Sequence, residues 1–349
     1  MSPKHKSEVR SSRPIGGVKL KELAAYLGLS PTTLSLVLNG SPTAGSIPKE
    51  TQDRIFSAAR ELNYRPNYLA RSLRMQRTHT LGVIVPELSD GYSAMVLSGV
   101  ETVLSAQGFF YLTASHRHRP NLLERLPLVL AERQVEGLIA VDAPIRQECR
   151  LPLINVSGRS DFKGVTNVIL NHTKAAELGV GHLHGFGHRR IALIKGQEFS
   201  SDTEIRHLSI LEAARRRGIP IDQKFVVQLC GDSPSPEVGY SAMKSLLVRK
   251  VKFTAVFAFN DVSAIGAIRA LQEAGLSVPD DISVLGFDDI YAAAFHNPAL
   301  TTVRQPLYEM GKSAAKALLE RLGDPDFDVS PRVISVEPKL VVRNSTRKI

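Results

Sequence analysis

The stretch LKELAAYLGLSPTTLSLVLN, residues 20–39, predicts two short helices joined by a tight turn. The first helix carries apolar residues spaced three and four apart, namely Leu20, Leu23, Ala24 and Leu27. Gly28 is placed to end this helix, because glycine adopts a positive φ at little cost. Ser30 then caps a second helix whose first position is Pro31. The apolar positions of the second helix are Leu34, Val37 and Leu38.

Between those apolar positions, the second helix presents side chains that can approach base edges in a DNA major groove. The predicted exposed positions are Thr32, Thr33, Ser35 and Leu36. A third apolar stripe at about 49–62 predicts one more helix, which completes an all-α headpiece of about 60 residues, a size that folds alone. The pattern fits a helix-turn-helix, although an ordinary helical hairpin in a small core would show the same spacing.

Positive charge is concentrated in the N-terminal segment. Residues 1–78 contain 13 Lys and Arg and 5 Asp and Glu, so +8 of the chain's net charge of +10 lies there. This imbalance predicts a polyanionic partner. A membrane surface is the rival to nucleic acid, but the segment lacks the large apolar face of an interfacial helix. We therefore predict nucleic-acid binding, with residues 1–16 as a disordered basic arm.

The segment NYRPNYLARSLRMQRTHT, residues 63–80, crowds arginines around a short apolar pattern. Pro66 is placed to open one or two helical turns, with Leu69 and Leu73 four residues apart on one face. An exposed leucine between arginines can act as an apolar wedge that opens a minor-groove base step. The alternative is a plain charged linker, which composition alone favours.

Composition narrows the class of protein. Hydrophobic residues make up 43% and charged residues 22% of the chain, which is typical of a soluble globular protein. No apolar run reaches the ~18 residues of a membrane span, and the N-terminus lacks the apolar segment of a secretory signal. Cys149 and Cys230 cannot form a disulfide framework and are predicted to be core thiols in a reducing cytoplasm.

Sequence motifs argue against an enzyme and against a metal site. No phosphate-binding glycine loop or nucleophile motif occurs, so an enzyme would have no catalytic set. His182, His184 and His188 lie near a predicted helix end, but no plausible set of further ligands is nearby, so no metal is predicted. His116 and His118 follow a strand and are predicted to lie in a solvated loop. No cofactor is expected.

From Leu81 onward, short buried strands alternate with helices. Runs such as TLGVIVP, VEGLIAV and DISVLGF predict strands, and the predicted helices include 93–107, 173–187, 203–218 and 262–275. This alternation predicts parallel sheets covered on both faces, and the remaining ~270 residues suit two such α/β lobes. Ligands of open parallel sheets bind beyond the carboxyl ends of the strands, so the loops that follow strands are the candidate site.

Six motifs carry a resemblance to one family. They are, in this order, VKLKELAAYLGLSPTTLSLVLNG, ELNYRPNYLARSLR, THTLGVIVPELSD, GHRRIALIKG, FAFNDVSAIGAIRALQEAGLSVPDDISVLGFDD and LTTVRQP. With these motifs the chain resembles the LacI/GalR family of bacterial transcription regulators over essentially everything from Val18 onward. The resemblance implies an all-α helix-turn-helix headpiece plus an α/β core of two Rossmann-like lobes, similar to periplasmic binding proteins.

The resemblance also implies domain boundaries. In chain order these are a basic arm at 1–16, a headpiece at 17–63, a hinge helix and linker at 64–79, and an effector-binding and dimerisation core at 80–349. Within the core the chain is expected to cross between lobes three times. The expected lobes are about 80–166 with 305–333, and about 167–304 with 334–349.

For DNA binding, the resemblance places the exposed residues of the second helix on the recognition face. Ser30 and Asn39 fall where the family holds the phosphate backbone. The segment that follows adds the candidates Tyr64, Asn67, Ala70, Leu73 and Arg74, with Leu73 at the position of the family's minor-groove leucine. Many members have arginine where this chain has Leu36. Apolar contact, such as with a thymine methyl, would there replace the two hydrogen bonds that arginine makes to guanine.

For the effector cleft, the matched positions are Ser89, Asp90, Tyr92, Asn155, Arg206, Asn260, Asp288 and Gln305. Their guanidinium, carboxylate and amide groups suit a polyhydroxylated ligand. Asp261 and Asp289 are expected instead to cap the helices that follow them. Members often place stacking aromatics at the positions of Ser233 and Leu170, so few platforms besides Tyr92 and Phe259 are expected here.

These observations predict a cytoplasmic, homodimeric, sequence-specific repressor that binds a pseudo-palindromic, double-stranded operator. The expected effector is a carbohydrate-like small molecule between the lobes, and no membrane partner is expected. The alternative is a solute-binding protein of the periplasmic type, which the headpiece and the lack of a signal peptide disfavour. Activation of transcription, or control by a protein bound to the core, stays open.

Overall fold

The computed structural model describes residues 18–65, 72, 77–89, 91–144, 149–232, 235–324 and 330–349. The chain divides into two compact units at the boundary between Arg77 and Thr78. The predicted basic arm at 1–16 lies outside the described residues. Within the described ranges, no helix is both long enough and apolar enough to cross a membrane.

The first unit consists of three helices and a short 3₁₀ turn, namely α1 (Leu20–Leu27), α2 (Pro31–Leu38), the turn Pro42–Ser46 and α3 (Lys49–Glu61). The predicted helix ends are confirmed. Gly28 follows α1 with a φ of 67°, and Ser30 Oγ accepts a hydrogen bond from the backbone N–H of Thr33 at 3.0 Å. The core that joins the three helices contains the fully buried side chains of Leu23, Leu34 and Ile55.

The second unit alternates strands and helices, as predicted. Its strands are β1 (Thr80–Val85), β2 (Phe110–Ser115), β3 (Leu138–Val141), β4 (Leu153–Val156), β5 (Val165–Leu170), β6 (Ile191–Lys195), β7 (Val226–Gln228), β8 (Ala255–Ala258), β9 (Ser283–Asp288), β10 (Thr301–Arg304), β11 (Arg332–Val336) and β12 (Lys339–Val341). Its helices are α4 (Gly91–Ala106), α5 (Pro120–Glu132), α6 (His172–Gly185), α7 (Thr203–Arg216), α8 (Glu237–Val248), α9 (Asp261–Glu273), α10 (Tyr291–Phe295) and α11 (Leu307–Gly323).

Two six-stranded sheets define the two lobes of this unit. The first sheet has the order β11-β5-β4-β3-β1-β2 and is parallel throughout. The second has the order β12-β10-β9-β8-β6-β7 and is parallel except for β12, which runs antiparallel to β10. The central strands are buried apolar runs, because helices cover both faces of a parallel sheet. The carboxyl ends of these strands carry the loops that matter for ligand binding.

The chain passes between the sheets three times, after Leu170, after Arg304 and after Val336. Two of the expected lobe boundaries, at about 166 and 333, fall inside β5 and β11. Both strands belong to the first sheet up to their last residues, because Leu170 pairs with Val336 at the end of the β5–β11 ladder. The hydrogen-bond ladder therefore sets these two crossing points a few residues later than the family resemblance implies.

Pairs of glycines let helices cross at backbone contact in both lobes. In the first lobe, a Cβ at Gly99 of α4 would overlap a backbone carbonyl oxygen of α11, and a Cβ at Gly311 of α11 would overlap one of α4. In the second lobe, Gly239 of α8 and Gly266 of α9 face each other's helices in the same way. Any larger residue at these positions would push the two helices apart.

We expect Gly311→Ala to lower the melting temperature of the full chain, because its methyl group would overlap the carbonyl oxygen of Val96. Overfilling of a packed contact typically costs about 1–3 kcal/mol. Gly323→Ala is the matched control in the same helix, since no described atom lies within 4 Å of a Cβ there. Differential scanning calorimetry compares the two variants. Equal melting temperatures would contradict the close crossing of α4 and α11.

Candidate functional site

The surface of α2 carries the residues predicted to read DNA. Thr32 is exposed, and Thr33 and Leu36 are half-buried. Ser35 is buried, so the prediction that it is exposed on this face is wrong. The cause is Asn39, whose Nδ2 donates to Ser35 Oγ at 3.1 Å and to the Ser35 carbonyl oxygen at 2.6 Å. The Asn39 amide thereby folds back over the last turn of the helix.

The two ends of α2 hold the residues predicted to meet the phosphate backbone. Ser30 is the N-cap residue, and Asn39 is exposed at the C-cap. Tyr64 packs half-buried against the headpiece core, and burial raises the pKa of its hydroxyl. Outside the described residues lie the remaining DNA-binding candidates, Asn67, Ala70, Leu73 and Arg74.

In the second unit, polar side chains from both lobes meet where the strands of the two sheets end. The first lobe contributes Tyr92, at the start of α4. The second lobe contributes Arg206 on α7, Asn260 after β8 and Asp288 at the end of β9. These four predicted residues line one cavity of about 80 Å³, which is called the cleft below.

Three of the other predicted effector residues do not line the cleft. Asn155 and Gln305 are almost fully buried, and Gln305 Nε2 donates to Asp288 Oδ1 at 2.6 Å. Gln305 therefore orients the Asp288 carboxylate from behind. Ser89 is exposed and lies away from the cavity wall. Asp90 lies outside the described residues.

Arg206 is the central charge of the cleft. Its guanidinium carbon lies 3.8 Å from the ring centroid of Phe287 and 4.4 Å from that of Phe259, so the cation packs on two aromatic rings. One of its nitrogens donates to the carbonyl oxygen of Phe259 at 2.6 Å. The nearest carboxylate oxygens belong to Asp202, at 3.4 Å, and Asp288, at 4.0 Å. The buried positive charge is thus compensated within its own lobe.

Several buried polar atoms around the cleft make no hydrogen bond within the described part of the chain. They are Arg206 Nε, Asn155 Oδ1, Gln305 Oε1 and His172 Nδ1. Buried polar atoms are nearly always paired, because an unpaired one costs about 1–3 kcal/mol. A bound polar molecule or ordered water would supply the missing partners. Of these atoms, Arg206 Nε belongs to a residue that lines the cleft and can donate to a ligand there, whereas Asp202 and Asp288 offer carboxylate oxygens that accept.

The structure adds cleft residues that the sequence analysis missed. They are Pro86, Glu87, His118, Asp142, Gln197, Phe199, Ser200, Asp202, Asp232, Val238 and Val262. Asp142 directly follows β3 and Gln197 comes just after β6, so the rule that ligands bind beyond strand ends could have identified both. Asp202 precedes α7 and shows no comparable signal in the sequence.

Asp142 and Asp202, the buried carboxylates among the added residues, differ in their tendency to ionise. Burial raises the pKa of Asp142 to about 6, and the nearby charge of Asp202 contributes in the same direction. Burial would also raise the pKa of Asp202, yet its contacts with His172 and Arg206 hold that pKa down at about 2. Asp202 therefore carries the negative charge that balances Arg206 at neutral pH, while Asp142 titrates near neutrality.

The loop between β6 and α7 docks against the first lobe. Ser201 donates both its backbone N–H, at 2.8 Å, and its hydroxyl to Asp142 Oδ1. In the opposite direction, the backbone N–H of Gly158 donates to Asp202 Oδ1 at 3.3 Å. These contacts hold the two lobes together across the cleft, which accounts for its small volume.

The expectation that Asp261 and Asp289 cap helices is wrong. Asn260 is the N-cap residue of α9, and its side chain accepts a hydrogen bond from the backbone of the first turn. Asp261 is buried and accepts a hydrogen bond from the Thr302 hydroxyl at 2.6 Å, and burial raises its pKa to about 7. Asp289 pairs with two arginine side chains at 2.6 Å each. Tertiary partners override the local preference at both positions.

The predicted environments of the histidines and cysteines also need correction. His116 is fully buried, and the His118 ring stacks on Phe199 with 4.1 Å between centroids, so neither lies in a solvated loop. Burial lowers the pKa of both imidazoles to about 4. Cys149 is half-buried and packs against the core of the first lobe, whereas Cys230 is exposed, so the prediction of a core thiol is wrong for Cys230. Among the residues that the structure describes, no group of three or more His, Cys, Asp or Glu is placed to bind a metal ion.

Comparison with known proteins covers both units. Residues 19–67 match the description "Bacterial regulatory proteins, lacI family", and residues 180–346 match a periplasmic binding protein-like domain. The HTH-type transcriptional repressor PurR of Haemophilus influenzae is 32% identical over 340 residues, which cover 95% of this chain and 99% of PurR.

Two solved structures are similar over nearly the whole chain. The Lac repressor bound to ONPG in the repressed state aligns with a TM-score of 0.82 and 26% identity, over 95% of this chain and 100% of the repressor. The complex of the transcriptional regulator CelR with cellobiose aligns with a TM-score of 0.69 and 29% identity, over 94% of this chain and 99% of CelR. Each of these two alignments therefore includes both the headpiece and the core.

Proposed function

Because the chain belongs to the LacI family of bacterial regulatory proteins, whose members are DNA-binding transcriptional repressors and not enzymes, we propose that a sugar or sugar derivative in its core cleft controls its binding to an operator. The observation that carries this proposal is the buried pair of Arg206 and Asp288, surrounded by unpaired polar atoms. A solute-binding protein is excluded as the alternative, since residues 19–67 match a DNA-binding family.

The chemistry of the cleft favours a neutral polyhydroxylated ligand. A sugar presents neighbouring hydroxyl groups that each donate and accept, which suits a carboxylate beside a guanidinium. The charge of Arg206 is already balanced by Asp202, so an anionic ligand would gain little additional attraction. The CelR structure, a relative of similar fold, contains the sugar cellobiose.

We expect Asp288→Asn to abolish ligand-induced stabilisation of the full chain while operator affinity stays unchanged. The amide keeps the shape of the carboxylate but cannot accept two hydroxyl hydrogens through both of its terminal atoms. A thermal-shift screen of the wild type against sugars, sugar acids, sugar phosphates, nucleosides and purines identifies the ligand. At 100 times its Kd the ligand would stabilise the chain by about 2.7 kcal/mol.

The matched control for this experiment is Asp280→Asn, which changes an exposed carboxylate of the same lobe. This variant is expected to respond to the ligand as the wild type does. An Asp288→Asn protein that still responds fully would remove Asp288 from the ligand site. A screen in which only purines or nucleosides stabilise the wild type would exclude the sugar class.

Ligand binding would be coupled to operator binding through the closure of the lobes. The β6–α7 loop contacts the first lobe through Ser201 and Asp202, so a ligand in the cleft changes the free energy of those contacts. We propose that this change is transmitted to the hinge at 64–79 as a coupling free energy between the two sites. Leu73 of each subunit would insert into the central minor groove.

We propose that α2 recognises the base sequence of the operator. Thr32 is exposed at the start of the helix, where residues of a recognition helix contact base edges. Leu36 offers apolar contact and no hydrogen bond to a base, which favours a thymine methyl group over guanine at its position. Ser30 and Asn39 at the two helix ends would contact phosphates.

We expect Thr32→Ala to weaken operator binding by about tenfold or more, the range for loss of one specific base contact. Binding to duplexes of scrambled sequence should not change, because nonspecific affinity depends on the attraction between basic side chains and phosphates. Selection from a random duplex library supplies the operator, and fluorescence anisotropy gives both affinities. Ser57→Ala, which removes an exposed hydroxyl on α3, is the control. Equal loss on operator and scrambled DNA would contradict base reading by Thr32.

We further propose that the chain acts in the cytoplasm, where bacterial operators lie, as a homodimer on a pseudo-palindromic operator. Two-fold symmetry of the protein then matches that of the DNA. Tyr291 and Phe295 support the dimer, because they lie four residues apart on α10 with 76% and 88% of their surfaces exposed. Large apolar groups exposed together on one helix face are typical of a protein interface.

We expect Phe295→Asp to convert the dimer into monomers, because a carboxylate would be desolvated at the interface. Sedimentation velocity at micromolar concentration measures the change. Val248→Asp is the matched control, since Val248 is also exposed, at 79%, but belongs to a different helix. A Phe295→Asp protein that sediments as the wild type does would place the dimer interface elsewhere.

A further inference from the structure

A second and larger cavity adjoins the cleft. It encloses about 680 Å³, whereas the cleft encloses about 80 Å³. Its first-lobe wall is formed by Leu123, Pro127 and Leu128 of α5, and its second-lobe wall by the loop that precedes α7. Sites for small molecules typically enclose about 300–1,000 Å³. The larger cavity, called the flank pocket below, has the size of a ligand site, which the cleft alone does not reach.

The flank pocket and the cleft share part of their walls. His118, Phe199 and Ser200 line both cavities. The rings of His118 and Phe199 are stacked at an interplanar angle of 24°, so the shared wall is a flat aromatic surface. Burial keeps the pKa of His118 at about 4, and the imidazole is therefore uncharged at neutral pH. The two stacked rings carry no charge themselves, so an apolar group of a ligand held in the cleft can pack along them.

The wall of the flank pocket is more apolar than the wall of the cleft. Leu128 is 63% exposed although it is a leucine in the middle of a helix, and Leu123 and Pro127 beside it are half-buried. The charged residues among its described lining, Glu124, Arg150 and Glu198, are exposed, so their charges can stay in water. When a ligand group covers an apolar wall that was open to solvent, the removal of apolar surface from water favours binding.

We propose that the flank pocket binds an aromatic or aliphatic arm attached to the polar head that the cleft holds. The cleft ligand would then be an amphipathic glycoside rather than a simple sugar. This inference rests on the proposed function for the polar head, whereas the apolar subsite follows from the cavity itself. Because both lobes contribute walls, an arm in the flank pocket bridges them and adds to the stability of the closed form.

The first test probes the flank pocket without reference to any sugar. N-phenyl-1-naphthylamine is a neutral dye whose fluorescence rises in apolar cavities, and we expect the full chain to bind it. Leu128→Gln should weaken dye binding by at least about tenfold, since a polar group would face the ring system. Leu128 is exposed, so this variant should keep the melting temperature of the wild type.

The matched control is Leu208→Gln on α7, because Leu208 is also an exposed leucine, at 55%, and does not line the flank pocket. It should bind the dye as the wild type does. Equal dye affinity in the wild type and in Leu128→Gln would overturn the apolar subsite. So would an equal loss of affinity in Leu128→Gln and Leu208→Gln.

The second test asks whether the flank pocket and the cleft serve one ligand. Calorimetric titration compares methyl and phenyl glycosides of the same sugars, namely glucose, galactose, xylose and ribose. For the sugar that binds, we expect the phenyl glycoside to bind at least about tenfold more tightly, because the ring leaves water. The phenyl glycoside should displace the dye, and the methyl glycoside should not.

The outcomes separate the two proposals. Methyl and phenyl glycosides of equal affinity would leave the sugar cleft standing and overturn the apolar arm. Dye binding that depends on Leu128, together with no binding of either glycoside series, would uphold the apolar subsite and overturn the sugar head. Loss of the phenyl advantage in Leu128→Gln, with methyl glycosides bound as before, supports both.

Discussion

A full positive charge buried between two lobes can persist only if its surroundings compensate it, because removing an ion from water without a partner is very costly. Arg206 meets this constraint through Asp202, Asp288 and two aromatic rings of its own lobe. Asp202 also accepts a hydrogen bond from Gly158 of the other lobe. The network that neutralises the arginine is therefore the network that closes the cleft. A ligand inserted beside Arg206 acts directly on the contact between the lobes.

The two lobes share the same internal packing arrangement. Their sheets have a matching strand order and are parallel apart from the edge strand β12, and each lobe contains a helix pair that crosses at glycine. Close crossing of this kind leaves the helices little room to slide, so the lobes are expected to move as rigid bodies. Motion is then confined to the segments that connect them and to the loops at the strand ends.

The sequence predicts some residues of the site and misses those whose positions depend on contacts between distant parts of the chain. The family resemblance assigned Tyr92, Arg206, Asn260 and Asp288 to the cleft, and all four line it. Asn260 and Asp288 also lie at the ends of strands, where a general rule places ligands. Gln305 was predicted as a ligand contact and instead supports Asp288 from behind. Asp202 and Phe199 were missed, because their positions depend on how one lobe docks on the other. The burial of Ser35 was missed because a single side chain, Asn39, folds back over it.

Local spacing was enough to predict the headpiece helices with their cap and stop residues and the alternation of strands and helices. These features depend on residues within a few positions of one another, where periodicity and backbone preference act. Tertiary structure alone decided which carboxylates serve the cleft and which, like Asp261, bind other elements instead. It also decided that an apolar cavity adjoins the polar one. Such contacts join residues far apart in the chain, as Ser201 and Asp142 are, 59 positions apart, and no local pattern encodes them.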